Sequence, residues 1–128
     1  GLVRLGLEGR ATDVLAPEIS LPAVGQGALG IEGRDGDDET AAILAALDDV
    51  DTRVAVEAER GVLRALGGDC KTPIGAYAVR QGSELFLRAF VAQPDGSGYR
   101  SGERRVAFPT SYADAAAVGS DLGTFLKG

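Results

Sequence analysis

The chain has no histidine, no methionine and a single cysteine among 128 residues. Those absences remove whole classes of chemistry. Without histidine there is no Ser-His-Asp triad and no Cys-His pair, and one thiol cannot build an ordinary Cys/His zinc site. One cysteine cannot close an internal disulfide either, so nothing points to secretion and a cytoplasmic setting is the expectation. Positive charge is also short. Thirteen Lys and Arg against 19 Asp and Glu leave a formal charge of −6, the wrong sign for a nucleic-acid or anionic-membrane surface. No apolar run approaches the roughly 20 residues that span a bilayer. The expected partners therefore include neither nucleic acid nor membrane, and any chemistry must come from carboxylates, Lys, Arg or the one thiol.

What is present reads as an ordinary globular domain, with 45% hydrophobic and 25% charged residues and a length that suits one compact domain plus a short piece of another. The abrupt start, Gly1-Leu2-Val3-Arg4-Leu5-Gly6-Leu7-Glu8, is what a cut inside a longer protein would leave. Residues 1–16 predict the end of a helix with Leu2, Leu5, Leu7 and Val14 as its apolar positions. Pro17 and Pro22 then make a connector. Ala28–Glu32 is a short apolar run suited to a strand whose sheet partner lies outside the chain. The acidic cluster Asp35–Glu39 supplies N-caps for a helix over 38–47, with Ile43, Leu44 and Leu47 as its buried stripe.

Asp51 is the expected N-cap of a second helix whose face carries Val54, Ala55, Ala58, Val62, Ala65 and Leu66, ending at Gly67-Gly68. Three strands follow, Ile74–Val79, Glu84–Ala92 and Tyr99–Phe108, joined by turns short enough to make them antiparallel neighbours. In the middle strand Leu85, Leu87, Ala89 and Val91 alternate with Phe86, Arg88, Phe90 and Ala92, a core face and a mixed face. Ser111 and Asp114 form a capping box for a closing helix with Ala115, Val118, Leu122, Phe125 and Leu126 on one face. The fold class that results is α+β: a small three-stranded antiparallel sheet with helices packed on one face.

Two stretches stand apart from the core pattern. In Gly67–Tyr77, GGDCKTPIGAY, the lone Cys70 follows a helix end and two glycines. A free cysteine is most often a small buried hydrophobe, but this position displays the thiol. The helix C-terminus and Asp69 both disfavour a thiolate, with only Lys71 opposing them, so a thiol that reacts once and then anchors something suits the place better than a cycling nucleophile. In Leu21–Glu32, LPAVGQGALGIE, Gly25 and Gly27 flank Gln26. Such glycines let backbone approach a ligand and aim one amide, and they also serve any tight turn before a strand.

Together LPAVGQGALGIE and ERGVLRALGGDCKTPIGAYA (Glu59–Ala78) resemble the carboxyl-terminal part of the porphobilinogen deaminase (hydroxymethylbilane synthase) family. The likeness extends from RLGLE at Arg4–Glu8 to Pro94-Asp95-Gly96 and Gly102-Glu103-Arg104-Arg105. The resemblance implies a transferase of tetrapyrrole biosynthesis. It implies that Cys70 carries a dipyrromethane cofactor through a thioether, and that four porphobilinogen units are added in turn with loss of ammonia to give linear hydroxymethylbilane. It also implies that Arg4 and Gln26, with Gly25 and Gly27 shaping the turn, line the cleft that holds the pyrrole acetates and propionates. Glu59 and Arg60 belong to the motif and are read as structural, an exposed charged pair on a helix being an equal possibility.

On the same resemblance, residues 1–36 are the tail of the second domain and the strand crossing back to the first, fragments of neighbouring α/β domains, and 37–128 form the cofactor-carrying domain. The expected partners are porphobilinogen, the growing polypyrrole chain and the missing amino-terminal domains of a monomeric parent. No catalytic residue and no metal ligand is assigned here, because the family's catalytic aspartate belongs to the missing region, and the chain alone is expected to show no turnover. Asp69 departs from the small residue usual before the cysteine, and Gly33 stands where the family often has cysteine or another small residue. The alternative is a stand-alone interaction module of the same fold without catalysis. Leu2, Leu5, Leu7, Leu29 and Ile31 are expected to lack partners within the chain.

Overall fold

The computed structural model describes residues 1–67 and 72–128. Two helices and a sheet form the core. Helix α1 spans Asp38–Ala45, α2 Val50–Leu66 and α3 Tyr112–Lys127, and strands β1 Ile74–Gln81, β2 Glu84–Val91 and β3 Arg100–Ala107 make one sheet in the order β1-β2-β3. Both pairings are antiparallel, with Ala76 opposite Ala89, Ala78 opposite Leu87, and Leu87 opposite Arg104. This is the expected α+β arrangement. Helices α2 and α3 pack on each other and cover one face of the sheet. Val54, Ala58 and Val62 from α2, Ala115, Leu122 and Leu126 from α3, and Ala76, Ala78, Leu85, Leu87 and Ala89 from the sheet are all buried there.

The two helices meet through glycine. A Cβ at Gly119 would strike the Ala58 carbonyl oxygen, one at Gly61 would strike the Ala116 carbonyl, and one at Gly123 would lie 2.7 Å from Val62 O. Backbone therefore packs on backbone, a contact that the apolar stripes alone do not reveal. The mixed face of β2 is only half-covered. Tyr99 stacks on Phe90 at 5.6 Å between ring centroids, and Pro17–Leu21 border an open groove of about 650 Å³ over Phe90, Arg88 and Ser101.

Several expectations need correction. Residues 1–16 hold only two short 3-10 turns, Val3–Leu5 and Glu8–Arg10, in place of a helix end. Ala28–Glu32 forms no strand, and Leu29 and Ile31 are 93% and 59% exposed because no sheet edge meets them. The stripe of α1 is not buried: Ile43 and Leu47 face solvent and only Leu44 is half-covered. The N-cap of α2 is Asp49, whose side chain accepts the Thr52 N–H, while Asp51 grips Arg80 Nη1 with both oxygens at 2.9 and 3.2 Å. Phe125 is exposed instead of buried and lies under the Arg104 guanidinium. At α3 Ser111 accepts the Asp114 N–H as expected, and the Asp114 carboxylate accepts a hydrogen bond from the Ser111 hydroxyl at 2.7 Å.

Candidate functional site

Strand β1 is an edge, and edge amides need partners. Ala76 N–H donates to the Pro22 carbonyl at 3.1 Å, and Ala78 N–H donates to Glu59 Oε1 at 2.8 Å. The other oxygen of the same carboxylate, Glu59 Oε2, accepts the Gly25 N–H at 2.7 Å. One side chain from the middle of α2 thus ties the sheet edge to the glycine-flanked turn. Glu59 is only 6% exposed and has no ion pair among the described residues. Burial pushes its carboxyl upward from the usual range, opposed by the two N–H donors. Of the two readings of Glu59 and Arg60, the exposed one describes Arg60, which pairs with Glu57 at 3.1 Å, and the structural one describes the buried Glu59.

The turn is built by its glycines. Gly25 has φ +69° and Gly27 φ +87°, backbone that side chains other than glycine's seldom adopt. Gln26 N–H donates to Ala23 O at 3.0 Å and Ala28 N–H to Gly25 O at 3.2 Å. The Gln26 side-chain oxygen accepts the Ala23 N–H at 3.0 Å, so its acceptor serves the turn. Its exposed amide nitrogen, two donors, has no hydrogen-bond partner among the described residues. A donor pair on a fixed turn suits a carboxylate ligand.

Arg4 lies in the first 3-10 turn, exposed, and no hydrogen bond or ion pair joins it to the Gln26 turn or to any other described residue. Cys70, with Asp69 beside it, lies outside the described residues. The backbone leading to it ends at Gly67, a left-handed C-cap at φ +64° whose N–H donates to Leu63 O and Arg64 O. On the far side the Pro73 carbonyl accepts the Ala92 N–H at 3.0 Å, extending the β1 ladder. No group of potential metal ligands occurs among the described residues, and no helix there is long and apolar enough to cross a membrane.

Glu59 is the residue whose role sequence reasoning undervalued. Its signal is positional: Ala55, Glu59, Val62 and Leu66 share one helical stripe at spacings of four, three and four, so a carboxylate occupies a place otherwise apolar.

These features define a small helix-backed antiparallel domain with a glycine-framed amide clamped beside its edge strand. Two family models match the chain, one described as "Porphobilinogen deaminase, C-terminal domain" over residues 53–128 and one as "Porphobilinogen deaminase, dipyromethane cofactor binding domain" over residues 1–42. The porphobilinogen deaminase of Sorangium cellulosum is 55% identical over 127 residues, which are 99% of this chain and 42% of that protein. That of Roseiflexus castenholzii is 46% identical over 125 residues, 95% of this chain and 39% of that protein. The chain belongs to the porphobilinogen deaminase family, and it spans about two fifths of the length of these curated relatives.

Proposed function

We propose that this chain is the cofactor-carrying part of a transferase that condenses four porphobilinogen units, with release of ammonia, into linear hydroxymethylbilane. The observation that carries this reading is the two-part family match, in order and covering both motifs. Residues 1–36 would complete the neighbouring α/β domains and 37–128 would form the third. The exposed Leu2, Val3, Leu5, Leu29 and Ile31 support that division, since surface of this kind at 49 to 93% exposure is what a domain contact would cover.

The donor set suits an acidic pyrrole ligand. Cys70 would hold a dipyrromethane through a thioether, and the Gln26 amide and Arg4 guanidinium, unpartnered among the described residues, would meet its carboxylates. When bound, that group supplies the nucleophilic pyrrole end to which substrate is joined. Gly25 and Gly27 fix the turn from which Gln26 reaches out, and the match of residues 1–42 to a cofactor-binding model spans Arg4 and Gln26. No general acid or base is assigned to this chain, so turnover requires the amino-terminal domains.

The test is complementation. Combined with the amino-terminal domains of a relative, the chain should release ammonia from porphobilinogen, and Cys70→Ser should abolish it. Alone, the chain should release none. Ammonia release by the isolated chain, or full activity of Cys70→Ser, contradicts the reading.

A further inference from the structure

Glu59 is costly where it stands. It is a carboxylate withdrawn from water with no ion pair among the described residues, and a carbon side chain of the same size would serve the core better at that stripe position. What it gains is two charge-assisted hydrogen bonds, one per oxygen, to amides 53 residues apart in sequence: Gly25 at 2.7 Å and Ala78 at 2.8 Å. Among the described residues, the one backbone–backbone hydrogen bond from the turn segment to the sheet edge is Pro22 O with Ala76 N–H at 3.1 Å. Pro22 and Glu59 therefore hold the segment at two points, and the Glu59 point falls on the residue immediately before Gln26. Val24 beside it packs against the core, but Gly25 itself is otherwise loosely held: the nearest heavy atom a Cβ there would meet is Val56 Cγ1 at 4.0 Å.

We infer that Glu59 is a positioning residue: by clamping the Gly25 amide to β1 it sets the direction in which Gln26 presents its amide donors to the carboxylates of the pyrrole ligand. A carboxylate suits this task better than an amide, because two N–H groups converge on it and a glutamine would turn its own N–H₂ toward one of them. The inference deepens the proposed function and rests on Gln26 touching the ligand.

A double-mutant cycle in the complemented enzyme tests it, with kcat and KM for porphobilinogen measured for Gln26→Ala, Glu59→Gln and the pair. Amide hydrogen exchange at Gly25 and thermal midpoints are followed in parallel. Glu59→Gln should speed Gly25 exchange and lower kcat/KM about tenfold, the scale of one misplaced contact. In the Gln26→Ala background it should cost less than about twofold, since the group it positions is gone. Equal losses in both backgrounds would mean that Glu59 acts through general stability, overturning the inference while leaving the functional reading intact. So would a Glu59→Gln enzyme of unchanged kcat/KM that has lost Gly25 protection. A Gln26→Ala enzyme with unaltered kinetics would overturn the contact with ligand, and the positioning role with it.

Discussion

Residues 1–36 and residues 49–128 are built from similar proportions of apolar side chains, yet only the second region buries them. Leu85, Leu87, Leu122 and Ala58 are fully buried, whereas Val3, Val14, Ile19 and Leu29 are 76, 88, 74 and 93% exposed. The difference lies in partners, not in composition. The second region brings its own sheet to its own helices. The first supplies two 3-10 turns and a run of extended chain, held to the domain by the Pro22 and Gly25 bonds and by side chains such as Val24 against the core. A strand sequence without a sheet edge is not a strand, as Ala28–Glu32 illustrates.

The sharpest way to break the second region is at the helix contact. Gly119→Ala drives a methyl group into the Ala58 carbonyl and should destabilise the domain by about 3 kcal/mol or more, read as a lower urea midpoint. A stable Gly119→Ala domain would mean that the helices are not in backbone contact.

The next prediction contrasts the regions directly. Leu87→Ala, at a fully buried site, should cost about 2–5 kcal/mol. Leu29→Ala, at a nearly naked one, should change the isolated chain by no more than about 0.5 kcal/mol. Comparable losses at the two sites would show that Leu29 has found a partner within the chain.

The smallest effect concerns pH, and two carboxylates at the start and middle of α2 give it opposite signs. Thr52, through its side chain and its backbone N–H, holds the Asp49 carboxyl below the usual range. The stability it contributes is present above the unfolded carboxyl pKa and lost as pH falls through the lower folded value. Burial raises Glu59, so its contribution is fully present below the unfolded pKa and lost as pH rises through the higher folded one. Urea midpoints across the acid range, compared with Asp49→Ala and Glu59→Gln, should show the first difference shrinking toward low pH and the second moving the other way.

Much of the domain was legible in the sequence. Alternation in Glu84–Val91, the three- and four-residue spacing from Val54 to Leu66, and the turn residues between strands are local signals, and local signals locate elements and faces. The miscounted N-cap is local too, but Asp49 and Asp51 are equally good caps, and what decides is that Arg80 on β1 takes Asp51. The glycine contacts of α2 and α3 and the bridge made by Glu59 are relations between distant segments. A single sequence shows them only as oddities: glycines inside helices, and one acid on an apolar stripe. For the candidate site, the motifs marked Gln26 with its glycines, while the clamp behind them emerged only from the packing.

The most direct measurement is the mass of the tryptic peptide Ala65–Lys71, ALGGDCK, after this chain has been expressed together with the amino-terminal domains of a relative and supplied with porphobilinogen. A mass increase of dipyrrole size, localised to Cys70 and lost in Cys70→Ser, is the result expected of a cofactor-carrying domain. A bare Cys70 thiol in a mixture that releases no ammonia would contradict it and leave an interaction module that shares the fold without the chemistry.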